Sequence, residues 1–262
     1  MRLASRRSAL PANTPTSADC VVIVFARAPR AGQVKTRIAR RIGDAAAARL
    51  HERLVCLALA SARAARCGPV ELHVSERHSS FRRSRVPIRL QRGADLGSRM
   101  HYTLSRALRC HARAVLIGSD CPALTPAAIA RAARWLQGGA DIVLAPAQDG
   151  GYALIGARRI SAEVFSAVEW GSERVLAQTR ANVARARLSV RYLPSVWDVD
   201  RPEDLERLRS LRLALAARGG KPRMPKASTT RRRARAADTS RKGRREGGAC
   251  YTSRASRRRS SG

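Results

Sequence analysis

The sequence is poor in lysine, in aromatic residues and in long apolar runs. Lysine occurs four times in 262 residues and once before position 221, a stretch that holds 36 arginines. So complete a bias is a drift of composition, and it makes most of the positive charge uninformative about function. The exception is the position that stayed lysine, Lys35. Phe, Trp and Tyr together make up 4%, and residues 1–220 contain neither an aromatic-rich RNA-binding strand nor a DNA-reading motif, which counts against a dedicated nucleic-acid module. No stretch approaches the ~20 uninterrupted apolar residues of a spanning helix. Residues 1–19 carry Arg2, Arg6 and Arg7 but no apolar run of the kind a secretory signal needs. A cytoplasmic protein with no membrane span is expected. Cys20, Cys56, Cys67, Cys110, Cys121 and Cys250 form no Cys-x-x-Cys pair and no zinc-ligand spacing. They read as reduced, mostly buried thiols.

What is present suffices for a core. Hydrophobic residues make up 44%, and the length suits one generous domain or two small ones. The formal charge of +33 is uneven: residues 221–262 hold 15 Lys+Arg against 2 acids and contain no Val, Ile, Leu, Phe or Trp. Such a segment has nothing to pack, so a disordered basic tail is expected over 219–262, touching polyanions through charge alone. Residues 1–19 are expected to be a flexible extension, and the folded domain to span 20–218.

Within that domain Cys20–Phe25 and Ala114–Ile117 are continuous apolar runs, the pattern of strands buried on both faces. Asp44–Arg66 reads as a helix with Ala47, Leu50, Leu54, Leu57 and Ser61 on one face. Leu96–Cys110 reads as a second helix, and Thr125-Pro126 opens a third running to about Gln137. Strands are expected at Val70–Val74, Val86–Leu90, Asp141–Ala145, Tyr152–Ile155 and Leu188–Leu193, and helices at Ser172–Ala186 and Pro202–Ala217. Strands alternating with helices define an α/β domain with a largely parallel sheet.

The unusual polar residues follow the strands. Arg27, Gly32, Lys35, Thr36 and Arg37 come after the first, and Gly118-Ser119-Asp120-Cys121-Pro122 after the central one. Gln148-Asp149-Gly150-Gly151-Tyr152 and Asp198-Val199-Asp200 come after later ones. In open α/β sheets the ligand crevice lies outside the carboxyl ends of the strands, so these loops converge on one rim. Arg and Lys in a loop leading to a helix suit di- or triphosphate oxygens. Asp120 with Asp198 or Asp200 suits Mg²⁺ or Mn²⁺, because hard cations take carboxylate oxygens. Plainer readings stand beside these. Gly32-Gln33-Val34-Lys35-Thr36 is not a P-loop, Asp200 with Glu203 fits a helix cap as well as a metal ligand, and Gly150-Gly151 fits a turn. Asp120 is harder to account for structurally. His51, His73, His78, His101 and His111 form no constellation and read as surface or core-edge residues.

Six blocks, in order, resemble one family. They are Phe25-Ala26-Arg27-Ala28-Pro29 running into Gly32–Arg37, Asp95-Leu96-Gly97-Ser98-Arg99-Met100, Gly118–Leu124, Pro146–Tyr152, Trp170-Gly171-Ser172 and Asp198–Leu205. Over about residues 21–212 they are similar to the DUF2064 group, which includes glycosyltransferase A-like and radical-SAM/selenodomain-associated transferase types. Ala31 departs from the pattern, which often has Pro there. The resemblance implies a GT-A, nucleotide-diphospho-sugar-transferase-like fold, a three-layer α/β sandwich with a mostly parallel central sheet. It implies a first loop that binds nucleotide phosphates through Arg27, Gly32, Lys35, Thr36 and Arg37, with Arg99 from the second block. It also implies a metal, Mg²⁺ or Mn²⁺, on Asp120 and Asp200, with Asp198 as the neighbouring candidate. Lys35 and Asp120 are then the catalytic candidates, and Asp149, Gly150, Gly151 and Tyr152 the substrate-binding ones. The expected activity is transfer from a nucleotide-activated donor, glycosyl or nucleotidyl. The alternative is a polyanion-associated protein with a vestigial nucleotide pocket.

Overall fold

A computed structural model describes residues 19–217. The basic tail expected over 219–262 lies outside the described residues, as does the extension expected over 1–19, apart from Asp19.

β1 (Cys20–Ala26) is buried along its whole length. Its side chains alternate between two cores. Cys20, Val22, Val24 and Ala26 face one, and Val21, Ile23 and Phe25 face the other. A strand needs apolar residues at every position only when both faces are covered, and that is the case here. β1 lies between β2 (Val70–Val74) and β4 (Arg113–Gly118), and pairs with both in parallel. With β3 (Ile88–Leu90), β5 (Ile142–Pro146), β6 (Tyr152–Ala157) and β7 (Val190–Tyr192) the sheet order is β3-β2-β1-β4-β6-β5-β7.

Only β6 runs against the rest. Residues 147–151 are too few for the crossover that a parallel neighbour of β5 would need, so the chain turns back as a hairpin. α2 (Asp44–Ala64) and α4 (Pro126–Gln137) cover the first face, through Val55, Leu59 and Ala62 and through Ile129, Ala132 and Leu136. α3 (Leu96–Leu108) and α5 (Val175–Arg185) cover the second, through Met100 and Leu104 and through Val183. The result is a three-layer α/β sandwich. Among the described residues no helix is long and apolar enough to cross a membrane.

Several elements differ from expectation. α1 (Thr36–Ile42) begins at the end of the polar loop expected over Arg27–Arg37 and fills residues for which no element was expected. Its sequence, TRIARRI, offers too short a periodicity to read. What holds it is Ile38, fully buried in a third cluster with Leu54, Val199 and Leu208, the last from α6 (Asp204–Ala217). The buried face of α2 is Ala47, Ala48, His51, Leu54, Val55, Leu59 and Ala62. It is rotated from the expected leucine stripe because the third cluster takes Leu50 and Leu57 at its edge. The region 172–174 precedes α5 as a turn. All five described cysteines are free, but only Cys20 and Cys121 are buried; Cys56 and Cys110 are exposed.

Candidate functional site

β1, β4, β5 and β7 all point the same way, so their carboxyl ends share one rim, and the chemistry collects there. The loop after β1 turns at Gly32 (φ 76°) and again at Lys35 (φ 52°, ψ 40°), a left-handed backbone that is costly for a residue with a Cβ. That conformation directs the Lys35 side chain inward. Only 4% of it is exposed, and Nζ lies 2.8 Å from Asp120 Oδ2. Asp120 follows β4, with 45% of its side chain open. Burial works to raise its pKa, but the Lys35 ammonium and His51 outweigh it and hold the carboxyl well below the usual carboxylate range. Ser119 Oγ donates to Asp120 Oδ1 at 3.3 Å.

A second pair of opposite sign sits beside the first. Arg37 Nη1, on the first turn of α1, lies 2.5 Å from Asp200 Oδ2. Asp200 does not cap α6, as one sequence reading allowed. Asp204, the first residue of α6, reaches back instead, its Oδ2 accepting from the backbone N–H groups of Asp200 at 3.0 Å and Arg201 at 2.7 Å ahead of the helix. The Asp200 carboxylate is thereby left to face the rim. The Trp197–Asp200 segment is pinned beside the β4 loop, because Val199 N–H donates to Asp120 O at 2.9 Å and Cys121 Sγ to Trp197 O at 2.9 Å. Next to Asp200 opens a recess of about 530 Å³ lined by Arg37, Arg40, Arg41, Arg201, Pro202 and Glu203.

Asp198 completes the group. Burial raises the pKa of its carboxyl, the charges of Asp149 and Asp200 raise it further, and Lys35 pulls against them. Carboxylates from two loops therefore converge closely enough to oppose one another's ionisation. Among the described residues no three His, Cys, Asp or Glu side chains form a ready cage for a metal. The donor chemistry, several carboxylate oxygens that repel one another, nonetheless fits a hard dication.

Other expected residues are placed differently. Arg27 has an exposed side chain, and its carbonyl accepts from a histidine on α2. Thr36 is exposed at the start of α1. Arg99 Nε donates to Gly93 O at 3.0 Å, bracing the turn before α3. Asp149 Oδ1 accepts from Gly151 N–H at 2.9 Å, closing the β5–β6 turn. Gly150 (φ 87°) packs so tightly on the next segment that a Cβ there would stand 2.1 Å from Glu173 O. The Tyr152 hydroxyl turns into the interior toward Thr179 rather than to the rim, and neither oxygen completes a hydrogen bond of normal geometry. Burial pushes that phenol well above its ordinary pKa.

The sequence reading missed two histidines. His73 is buried near the carboxyl end of β2, with Nε2 2.8 Å from Glu71 Oε2. His51 is at the rim. It is 3% exposed, its Nε2 is 3.0 Å from Arg27 O and its Nδ1 is 3.4 Å from Asp120 Oδ1. Neither is the core-edge residue expected. A lone histidine on a helix carries no signal in sequence; only a correct assignment of the buried face of α2 would have found His51.

A seven-stranded sheet of this order, with one reversed strand and its polar loops at one rim, is the nucleotide-diphospho-sugar-transferase-like, GT-A class of α/β fold. Solved structures agree. A protein from Desulfovibrio desulfuricans G20, assigned as a nucleotide-diphospho-sugar transferase, matches with a TM-score of 0.67 at 28% identity over 76% of this chain and 96% of its own. A cytidylyltransferase from Leptospira borgpetersenii serovar Hardjo-bovis matches at 0.51 and 14% identity, over 73% and 85%. CMP:2-keto-3-deoxy-manno-octonic acid synthetase, complexed with CTP, matches at 0.50 and 10%, over 75% and 99%. The last two bear on the fold alone. No curated protein matches the sequence. The model of the family described as "Uncharacterized protein conserved in bacteria (DUF2064)" matches residues 42–172, half of the chain. The chain belongs to the DUF2064 family.

Proposed function

We propose that the protein is a metal-dependent transferase of the GT-A type that uses a nucleotide-activated donor. The observation that carries this is the interlocking of charges at the rim, Lys35 with Asp120 and Arg37 with Asp200, each pair joining a different loop to the segment that leads from β1 into α1. Cations and carboxylates that satisfy one another in this way are also the two halves of a metal–diphosphate site. The 28%-identical Desulfovibrio protein, with its nucleotide-sugar-transferase assignment, supports the same reading.

In the proposed site Asp120, Asp200 and Asp198 hold Mg²⁺ or Mn²⁺, which when bound offsets the charge of the leaving phosphate or diphosphate. Lys35 and Arg37 exchange their carboxylate partners for phosphate oxygens, and Arg27, exposed on the same loop, adds a third cation. Asp149, Gly150 and Gly151 form the turn against which the rest of the substrate lies. Tyr152, its hydroxyl buried, supports that turn from beneath. The stabilisation is electrostatic, with the Lys35 ammonium held at the rim by its buried side chain.

Thermal melting against a panel of nucleoside triphosphates and nucleotide sugars, with and without Mg²⁺ or Mn²⁺, tests this. A ligand at a hundred times its Kd stabilises by about 2.7 kcal/mol, equivalent to a rise of roughly 5–10 °C for a domain of this size. The rise is expected only when nucleotide and metal are both present. Binding that ignores metal and simply weakens with salt would favour the polyanion-associated alternative.

A further inference from the structure

In a chain with this much arginine, exposed cations line many recesses, and most of them carry no information. One recess differs, because buried groups hold part of its wall and exposed apolar side chains complete it. It opens between the edge strand β3 and α3, on the second face of the sheet, and encloses about 310 Å³. Arg77, Arg89, Arg92 and Arg106 line it together with His73 and Tyr102, and among the described residues no carboxylate does. None of these residues belongs to the group of charges around Asp120 and Asp200. We infer that the recess binds a phosphate monoester carried on a flat or apolar ring, at a site separate from the one proposed for the donor.

The floor of the recess is a connected network. His73 is 3% exposed and stacks on Phe25, with ring centroids 5.9 Å apart. Its Nε2–H donates to Glu71 Oε2 at 2.8 Å and its Nδ1 accepts from Thr103 Oγ1 at 3.4 Å, the pattern of a neutral ring. Glu71 Oε2 also accepts from Arg89 Nε–H at 2.8 Å. That bond fixes a guanidinium at the wall and leaves its two terminal nitrogens without a partner among the described residues. Arg89 offsets the charge of Glu71, and nothing offsets the other three cations. Arg77 and Arg106 make no ion pair or side-chain hydrogen bond among the described residues, and Arg92 only stacks on Tyr102, 5.7 Å from the ring centre. Cations gathered on one recess repel one another, and a dianion removes that repulsion. A phosphate monoester brings about −1.5 to −2 of charge and oxygens that match guanidinium forks, whereas a diester carries less charge at one point.

Apolar surface supplies the rest of the wall. Leu90 is 44% exposed and Tyr102 37%, two of the few large hydrophobic side chains left open among the described residues, and both line the recess. They suit the ring of such an ester, and the volume lies at the lower end of the ~300–1,000 Å³ usual for small-molecule sites.

With only five histidines in the chain, their rings report where an anion binds. Phenyl phosphate is added to the full chain without metal at about pH 8, where the monoester is a dianion, and long-range ¹H–¹⁵N spectra follow the rings. His73 is expected to shift saturably while His51, at the rim, stays in place. Arg106→Gln should weaken this binding about tenfold or more, as for a lost charge-assisted contact. Arg131→Gln, on α4 across the sheet, should leave it unchanged. Tyr102→Ala should weaken the binding of phenyl phosphate but not of inorganic phosphate. Methyl phenyl phosphate, a diester, and glucose 6-phosphate, a monoester without an apolar ring, should both bind less tightly than phenyl phosphate. Equal losses in Arg106→Gln and Arg131→Gln would overturn the inference, as would a diester that binds as tightly as the monoester. Glucose 6-phosphate binding as tight as that of phenyl phosphate would overturn the role given to the ring. A shift confined to His51 would put the anion at the rim, overturning this inference and leaving the proposed donor site standing.

Discussion

Lys35 combines three properties that rarely coincide in one residue. Its backbone is left-handed, its side chain is 4% exposed, and its ammonium touches a carboxylate. A narrow slot of that kind suits a point charge on a thin stem better than a planar guanidinium. Lys35→Ala is expected to lose about 1.5–3 kcal/mol of nucleotide affinity, as for a charge-assisted hydrogen bond, and Lys35→Arg to recover only part. Titration calorimetry decides this, and full affinity in the Arg variant would refute the slot. Asp120 and Asp198 should respond to pH in opposite senses. The pKa of Asp120 is depressed in the folded protein, so its contribution to stability is present above the unfolded value of about 3.9 and is lost as pH falls. Asp120→Asn should melt lower than the natural sequence at pH 7, with the gap closing toward pH 2. The pKa of Asp198 is raised, first by burial and then by Asp149. Its contribution is therefore greatest at low pH and declines as pH rises through the folded pKa. Asp198→Asn should melt higher than the natural sequence at pH 7 without metal, and the gap should vanish by about pH 3, below the unfolded value. The same variant should bind metal–nucleotide more weakly, a trade of stability against function.

At the scale of elements, the rim depends on how short segments are pinned. The β5–β6 turn is held because Gly150 lies against the backbone of Glu173 and Gly150 O accepts from Leu176 N–H at 2.9 Å. Backbone cannot yield as a side-chain tip can. Gly150→Ala is expected to cost roughly 1–3 kcal/mol in urea unfolding, from positive φ and the clash together. Gly97 shows a milder version, because its Cβ would meet the ring of Trp170 at 2.7 Å. That contact joins the second and fifth sequence blocks, since one packs on the other. The start of α6 supplies a further test. Asp204→Ala removes the acceptor of two backbone N–H groups ahead of α6 and should cost about 1 kcal/mol of stability. Asp200→Ala should leave stability nearly unchanged while weakening metal–nucleotide binding. The opposite ranking would return Asp200 to a capping role.

At the scale of the whole molecule, the charge of +33 and the chemistry of the rim are expected to be separable. Residues 221–262 carry a balance of +13 without a single Val, Ile, Leu, Phe or Trp, so they have nothing to bury. A chain ending at Gly220 is expected to melt within a few degrees of the full chain and to keep its metal–nucleotide binding. Its affinity for bulk RNA should drop sharply, as read by the salt dependence of filter binding. Loss of nucleotide binding on truncation would place the basic segment in the site.

Strands such as Cys20–Ala26 and Arg113–Gly118 were legible because a strand covered on both faces needs apolar residues at every position, a demand that leaves a continuous mark in the sequence. The start of α4 was legible in Thr125-Pro126, the Thr125 side-chain oxygen accepting from Ala128 N–H; α3 has a cap of the same kind in Asp95, which accepts from Ser98 N–H. The site was legible as a set of loops, since polar residues after buried strands must meet at one rim in a parallel sheet. The sequence also determined the composition of that rim, its one buried lysine and its carboxylates. Tertiary structure alone decided the rest. It reversed β6, because the length of a connection acts only once both strands have places. It formed α1, because Ile38 has value only where Val199 and Leu208 come to meet it. It turned Tyr152 inward, tied Asp204 back to the segment ahead of α6 and brought His51 beside Asp120. Each of these depends on a partner distant in the chain, and local pattern carries no information about such a partner.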